Sequence, residues 1–139
     1  MMAAQGLKIG ELARQVGISV GALRYYDDLG LVPSRRGSNG YRYYPPDAVH
    51  RVQFIKKAQA LGFSLEDIGE ILTLYGQGQV PCALVQARLQ EKIDQLAAQI
   101  REMQQFKTSL ETYRDLWADQ ETVPQPGDIC PLIEGIPVP

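Results

Sequence analysis

Ile9-Gly10-Glu11-Leu12-Ala13-Arg14-Gln15-Val16-Gly17-Ile18-Ser19-Val20-Gly21-Ala22-Leu23-Arg24-Tyr25-Tyr26-Asp27 is the stretch whose reading decides the fold. Ile9, Leu12 and Ala13 recur at the spacing of one buried helical face, which predicts a first helix from about Ile9 to Gln15. Val16-Gly17-Ile18 breaks it. Ser19 then offers a hydroxyl to cap a second helix from Val20 to about Asp27. Within it Ala22, Leu23 and Tyr26 face inward, while Val20, Gly21, Arg24 and Tyr25 face outward. Two short helices joined by a glycine turn make a helix-turn-helix, whose second helix lies in the major groove with its N-terminal residues at the base edges. Ser19, Val20 and Gly21 stand at that end. Arg24 and Tyr25 are residue types that serve phosphates more often than bases, so their expected role is docking.

Beyond Gly30-Leu31-Val32-Pro33 the text changes to Ser34-Arg35-Arg36-Gly37-Ser38-Asn39-Gly40-Tyr41-Arg42-Tyr43-Tyr44. Asn39-Gly40 favours the positive backbone angles of a tight hairpin turn, and the aromatic residues beyond it suit a short strand. A small two-stranded wing is expected. Arg35, Arg36, Tyr41 and Arg42 would then point at the DNA backbone beside the major-groove helix, although an isolated charge run of this kind more often decorates a solvated hairpin.

The 139-residue chain suits one compact domain plus an extension. Its net charge of −2 argues at first against nucleic acid, because phosphate contacts need a basic footprint. The average conceals a split. Residues 1–75 hold nine Lys or Arg against seven Asp or Glu, and residues 76–139 hold five against nine. Lys8, Lys56 and Lys57 with the arginines of the hairpin would form the local basic face. There is no apolar run of the ~20 residues that span a bilayer, and Met1 to Leu7 has neither the charged start nor the apolar stretch of a signal peptide. A cytoplasmic protein with no membrane partner is expected. No nucleophile is paired with a base and no phosphate-binding glycine loop occurs, so an enzyme is not expected.

Val49, Val52, Ile55 and Ala58 or Gln59 follow Pro45-Pro46-Asp47 at helical spacing as far as Gly62. Ser64 with Asp67 three residues on reads as a capping box, opening a helix with Leu65, Ile68, Ile71 and Leu72 on its apolar face. Phe54 and Phe63 read as core, with no cofactor pocket, and the lone His50 as a surface or packing residue. After Gly76-Gln77-Gly78-Gln79-Val80-Pro81, no Gly or Pro appears from Cys82 until Pro124. Cys82, Leu89, Ile93, Leu96, Ile100, Met103, Leu110 and Trp117 lie on one seam, which reads as a coiled-coil strand. Such a stripe needs cover, from a second copy of the chain or by folding back on its own domain. A symmetric homodimer is the expectation.

Leu23-Arg24-Tyr25-Tyr26, Gly30-Leu31-Val32, Gly40-Tyr41-Arg42-Tyr43 and Ala60-Leu61-Gly62-Phe63-Ser64-Leu65 occur in one order and spacing. Over about Leu7 to Leu74 the chain thereby resembles the winged helix-turn-helix domain of the MerR family of transcription regulators. The resemblance implies a mainly α protein: a DNA-binding domain at 7–75, a hinge at 76–81, an antiparallel coiled-coil dimerisation helix at 82–118 and an effector-binding tail at 119–139. It further implies a homodimer on palindromic double-stranded operator DNA that activates a promoter for RNA polymerase by distorting the spacer.

Only two cysteines are present, Cys82 and Cys130, and their spacing matches no zinc finger. By themselves they read as buried apolar residues more readily than as ligands. In the resembled family, metal sensors carry a cysteine or serine at the start of the dimer helix and two cysteines in a later loop, the second followed by Pro and aliphatic residues. Cys82 matches the first of these and Cys130-Pro131-Leu132-Ile133-Glu134 the last. Cysteine at position 82 is the pattern for divalent soft metals, zinc, cadmium, lead or mercury, where the copper(I) type usually has serine. Polarisable sulfur selects such ions. The loop's first cysteine, due near Glu121 or Thr122, is absent. The expected site is Cys82 of one subunit with Cys130 of the other, completed by Glu121, Asp119, Asp128 or water. A redox or electrophile signal, an organic ligand, and a metal-buffering coiled coil without DNA binding are the alternatives.

Overall fold

The computed structural model describes residues 6–138. Pro139, the last residue of the expected effector-binding tail, and residues 1–5 of the N-terminal stretch lie outside the described residues. The elements are β1 (Leu7–Lys8), α1 (Ile9–Val16), α2 (Val20–Asp28), β2 (Arg35–Arg36), β3 (Arg42–Tyr44), α3 (Ala48–Ala60), α4 (Leu65–Gly76), α5 (Cys82–Ala118) and α6 (Pro131–Glu134). The residues group into two compact units that divide between Lys92 and Ile93.

In the first unit α1 and α2 form as their spacing predicts. Leu12, Ala13 and Val16 of α1 and Leu23 and Tyr26 of α2 are buried. Gly17 ends α1 in the left-handed region at φ 70°, and its N–H and that of Ile18 both donate to the carbonyl of Ala13, at 2.9 and 3.1 Å. A residue with a Cβ resists that conformation, which is why glycine marks the turn. The Ser19 hydroxyl accepts from the Ala22 N–H at 3.0 Å and opens α2. Val52, Ile55 and Ala58 of α3, Phe63, and Ile68 and Leu72 of α4 complete one core with them. Phe54 is half-buried against that core. Ser64 and Asp67 form the capping box in both directions, at 3.0 and 3.1 Å.

The wing differs from the expected two-stranded hairpin. It is a three-stranded antiparallel sheet in the order β1-β3-β2, with Leu7 opposite Tyr44 and Arg36 opposite Arg42. Leu7-Lys8 runs extended into α1 and takes the free edge of β3, so a short strand that no alternating pattern announces forms by proximity alone. The turn is also wider than two residues. Only Gly40 has positive φ there, at 84°, and its N–H donates to the carbonyl of Gly37 at 2.9 Å. The Asn39 side chain is spent elsewhere: its Nδ2 donates to Tyr43 Oη at 3.0 Å and its Oδ1 accepts from the Tyr41 N–H at 3.1 Å.

The opening turns of α5 belong to the first unit, where Val85 packs against the core. Arg88 reaches Glu70 at 2.6 Å and Glu91 at 2.9 Å, and Lys92 reaches Asp67 at 3.5 Å. The helix has 37 residues, about 55 Å at the usual rise, and no residue of it is buried. In the second unit Ile93, Leu96, Ile100, Met103, Phe106 and Leu110 are all exposed. Tyr113 and Trp117 stack with ring centroids 5.1 Å apart. The tail carries the single-turn α6, which starts at Pro131 where a missing N–H costs nothing.

Two outcomes follow for stability. Ser64→Ala removes an N-cap acceptor and should lower unfolding free energy by about 1 kcal/mol in urea titration. Tyr44 is fully buried, and its phenol is pushed up to about 12, first by burial and then by its bond to Asp27. The folded state therefore holds a proton that the unfolded chain gives up near the ordinary value of 10.0. Stability from this group is complete below that pH and is lost as pH rises towards the folded value. Tyr44→Phe should flatten the alkaline limb of stability against pH; an unchanged limb would show that another group governs it.

Candidate nucleic-acid interface

The Ser19 cap sets where α2 begins, and the burial of Leu23 and Tyr26 sets which side faces out. Val20, Gly21, Arg24 and Tyr25 are exposed on that outer side, as are Ser19, Lys8 of β1, Arg35 and Arg36 of β2, and Tyr41 in the loop. These side chains lie on the first unit. Lys8, Arg24 and Arg35 enter no ion pair among the described residues, so their charges remain available to an anionic partner. Arg36 donates to the carbonyl of Gly40 at 3.0 Å, which braces the wing loop while leaving most of the guanidinium donors open.

Arg42, expected at the DNA backbone, is held from the side of α2. Its Nη1 lies 3.3 Å from Asp27 Oδ2 and its Nη2 3.1 Å from Asp28 Oδ1, with the side chain 23% exposed. Burial works against its charge, but the two carboxylates outweigh that and hold its pKa above the usual value. The reason is geometric: Arg42 and Tyr44 alternate with Tyr43 along β3, so both project to one side of the strand, towards the end of α2. Asp27 Oδ2 also accepts from Ser34 Oγ at 2.6 Å and from Tyr44 Oη at 2.9 Å. Sequence reading missed Asp27, Ser34 and Tyr44. Two carboxylates at a helix C-terminus with no basic residue in the last turn were the available signal.

Lys56 and Lys57 are both exposed, and Lys56 Nζ also donates to the carbonyl of Val16 at 2.6 Å, closing the end of α1. Arg51 of α3 donates through Nε to the carbonyl of Leu31. Between α3 and α4 an open pocket of about 260 Å³ is lined by Phe54, Ile71, Leu72 and Tyr75, with the exposed His50 on its rim. Apolar periodicity locates the two helices but not the gap between them.

Both thiols are free. Cys82 is the first residue of α5, exposed, in the first unit; Cys130 is the half-buried N-cap residue of α6, in the second. Glu121 and Asp128 are exposed, and the Asp128 carboxylate accepts from the Gln125 N–H at 2.8 Å. Among the described residues no three His, Cys, Asp or Glu side chains gather within one chain as a metal site. No helix among them is long and apolar enough to cross a membrane.

Comparison with known proteins agrees with this geometry. The chain is 24% identical to the lead(II)-bound transcription regulator PbrR691 of Ralstonia metallidurans, with a TM-score of 0.72 over 92% of this chain and 97% of that one, a likeness of fold. It is 35% identical to the mercuric resistance operon regulatory protein of Bacillus cereus over 91% of this chain and 94% of that protein. To the helix-turn-helix transcriptional regulator HmrR of Rhizobium leguminosarum it is 35% identical over 76% of this chain and 81% of that one. Residues 7–74 match the family described as MerR HTH family regulatory protein, and residues 49–113 that described as MerR, DNA binding. The family match over residues 7–74 and the identity to these regulators agree, and this chain belongs to the MerR family of helix-turn-helix transcription regulators.

Proposed function

We propose that the protein is a dimeric, soft-metal-responsive regulator that binds a palindromic operator and activates transcription with RNA polymerase by distorting the DNA between promoter elements. The observation that carries the DNA half is the exposed row of Val20, Gly21, Arg24 and Tyr25 at a Ser19-capped helix start, flanked by Lys8, Arg35, Arg36 and Tyr41. In this reading Ser19, Val20 and Gly21 approach base edges, and the basic residues and tyrosines dock on phosphates. Arg42 supports docking from behind. The dimer half rests on α5, whose apolar stripe from Leu89 to Leu110 is exposed along its length. A second copy covers such a stripe on both chains at once.

The effector half rests on two free thiols, Cys82 at the start of α5 and Cys130 directly before Pro131, which match two positions of the cysteine pattern that the resemblance implies for metal sensors. Sulfur suits zinc, cadmium, lead or mercury better than it suits hard ions. Two thiolates satisfy a linear ion, whereas a tetrahedral one needs further donors, for which Glu121, Asp128 or water are the candidates. Ligands drawn from opposite subunits would make ion binding a statement about the dimer, and hence about the spacing of its two reading heads. Bending or twisting a site of this length costs a few kcal/mol, within the reach of tight ion binding.

Arg24→Ala should weaken operator affinity and reduce the slope of log K against log salt by about one, as expected for one lost phosphate contact. Fluorescence anisotropy over a salt series reads both, and an unchanged slope refutes the docking role. Cys82→Ser and Cys130→Ser should each abolish metal-induced transcription in vitro while leaving operator affinity within about twofold, since neither lies on the reading face. A heterodimer of the two variants should regain one complete site. Wild-type response in both single variants would instead favour an organic or redox signal, and loss of operator binding by the native protein would favour a metal-buffering coiled coil.

A further inference from the structure

The end of α2 breaks a local rule. Asp27 and Asp28 sit in the last turn, where the helix macrodipole disfavours negative charge, and no basic residue of that turn relieves them. Across the wing, Arg36 stands directly opposite Arg42 in the β2–β3 register, a like-charged pair that a hairpin by itself would disfavour. Each defect cancels the other. Arg42 leaves its strand neighbour for the two aspartates, and Asp27 Oδ2 collects Arg42 Nη1 at 3.3 Å, Tyr44 Oη at 2.9 Å and Ser34 Oγ at 2.6 Å. Its side chain is 13% exposed. One oxygen thus joins the reading helix to the chain entering β2 and to two residues of β3.

We propose that Asp27 is a positioning residue for operator binding, fixing the wing against the reading helix without touching DNA. The inference deepens the DNA-docking reading above and rests on it. The wing holds Arg35, Arg36 and Tyr41, and α2 holds Arg24 and Tyr25, so the separation between flanking-phosphate contacts and major-groove contacts is set by how these two pieces are joined. The wing strands are two and three residues long, too short to hold that geometry by ladder hydrogen bonds alone. Ser34, Arg42 and Tyr44 supply the missing ties, and a single carboxylate receives all of them.

Asp27→Asn keeps the shape of the side chain and removes its charge. With the full-length protein on its operator, affinity should fall about tenfold, the worth of one or two phosphate contacts. Hydroxyl-radical footprinting should lose protection at the outer phosphates of each half-site and keep it at the centre. Arg35→Ala should weaken binding in the otherwise native protein and add little in the Asp27→Asn background, because the contact it removes is already gone. Unchanged affinity and footprint overturn the proposal. So does a uniform loss of protection, or full additivity with Arg35→Ala, since either marks a general loss of fold. Should Asp27→Asn fail to fold by circular dichroism, Tyr44→Phe removes one of the three donors and keeps the ring: about threefold weaker binding with the same outer-phosphate loss supports the assignment, and native behaviour in both readouts overturns it. If native protein itself does not bind the operator, the docking reading fails, and the positioning role falls with it.

Discussion

Leu12 of α1 and Leu23 of α2 have no exposed surface, and both belong to the core that Val52 and Ile55 of α3 complete. Everything that α2 offers to a partner is fixed by this burial. Removing one such leucine to alanine typically costs about 2–5 kcal/mol, a large share of the stability of a small domain. The same packing gives α2 its rotation about its own axis. Val20, Gly21, Arg24 and Tyr25 share the outer side because Leu23 and Tyr26 occupy the inner one.

A second constraint is electrostatic, and it decides how the wing is held. A hydrogen bond to a charged group contributes about 1.5–3 kcal/mol when shielded and less where water competes. Asp27 is nearly covered while Asp28 is 58% exposed, so the first carboxylate carries most of the tie and the second mainly balances charge. The arrangement has a logic that neither element shows alone. A helix end with two acids and a hairpin with facing arginines are each unfavourable, and together they specify one docking of wing on helix.

Much of this was legible in the sequence. The helices of the first unit follow from three- and four-residue apolar spacing, the caps at Ser19 and Ser64 from residue type and position, and the exposed stripe of α5 from its seam. What escaped is what depends on long-range pairing. β1 has two residues and no pattern; it exists because Leu7-Lys8 passes the open edge of β3. Arg42 and Lys56 read as surface cations; Arg42 also pairs with Asp27, and the exposed Lys56 also donates to the carbonyl of Val16, partners 15 and 40 residues away. A basic residue announces its charge in sequence but not its partner. The two cysteines were legible as chemistry, and their roles rest on the family they place the chain beside.

The pairing of Arg42 has a consequence for how the protein finds its site. Arg42 is paired with two carboxylates, while Lys8, Arg24, Arg35 and Arg36 have no carboxylate partner among the described residues, on a chain of net charge −2. Attraction to duplex of any sequence, which scales with the number of neutralised phosphates, is therefore carried by few side chains. Discrimination of one promoter from other DNA then falls to contacts with base edges, since phosphate contacts carry no sequence information.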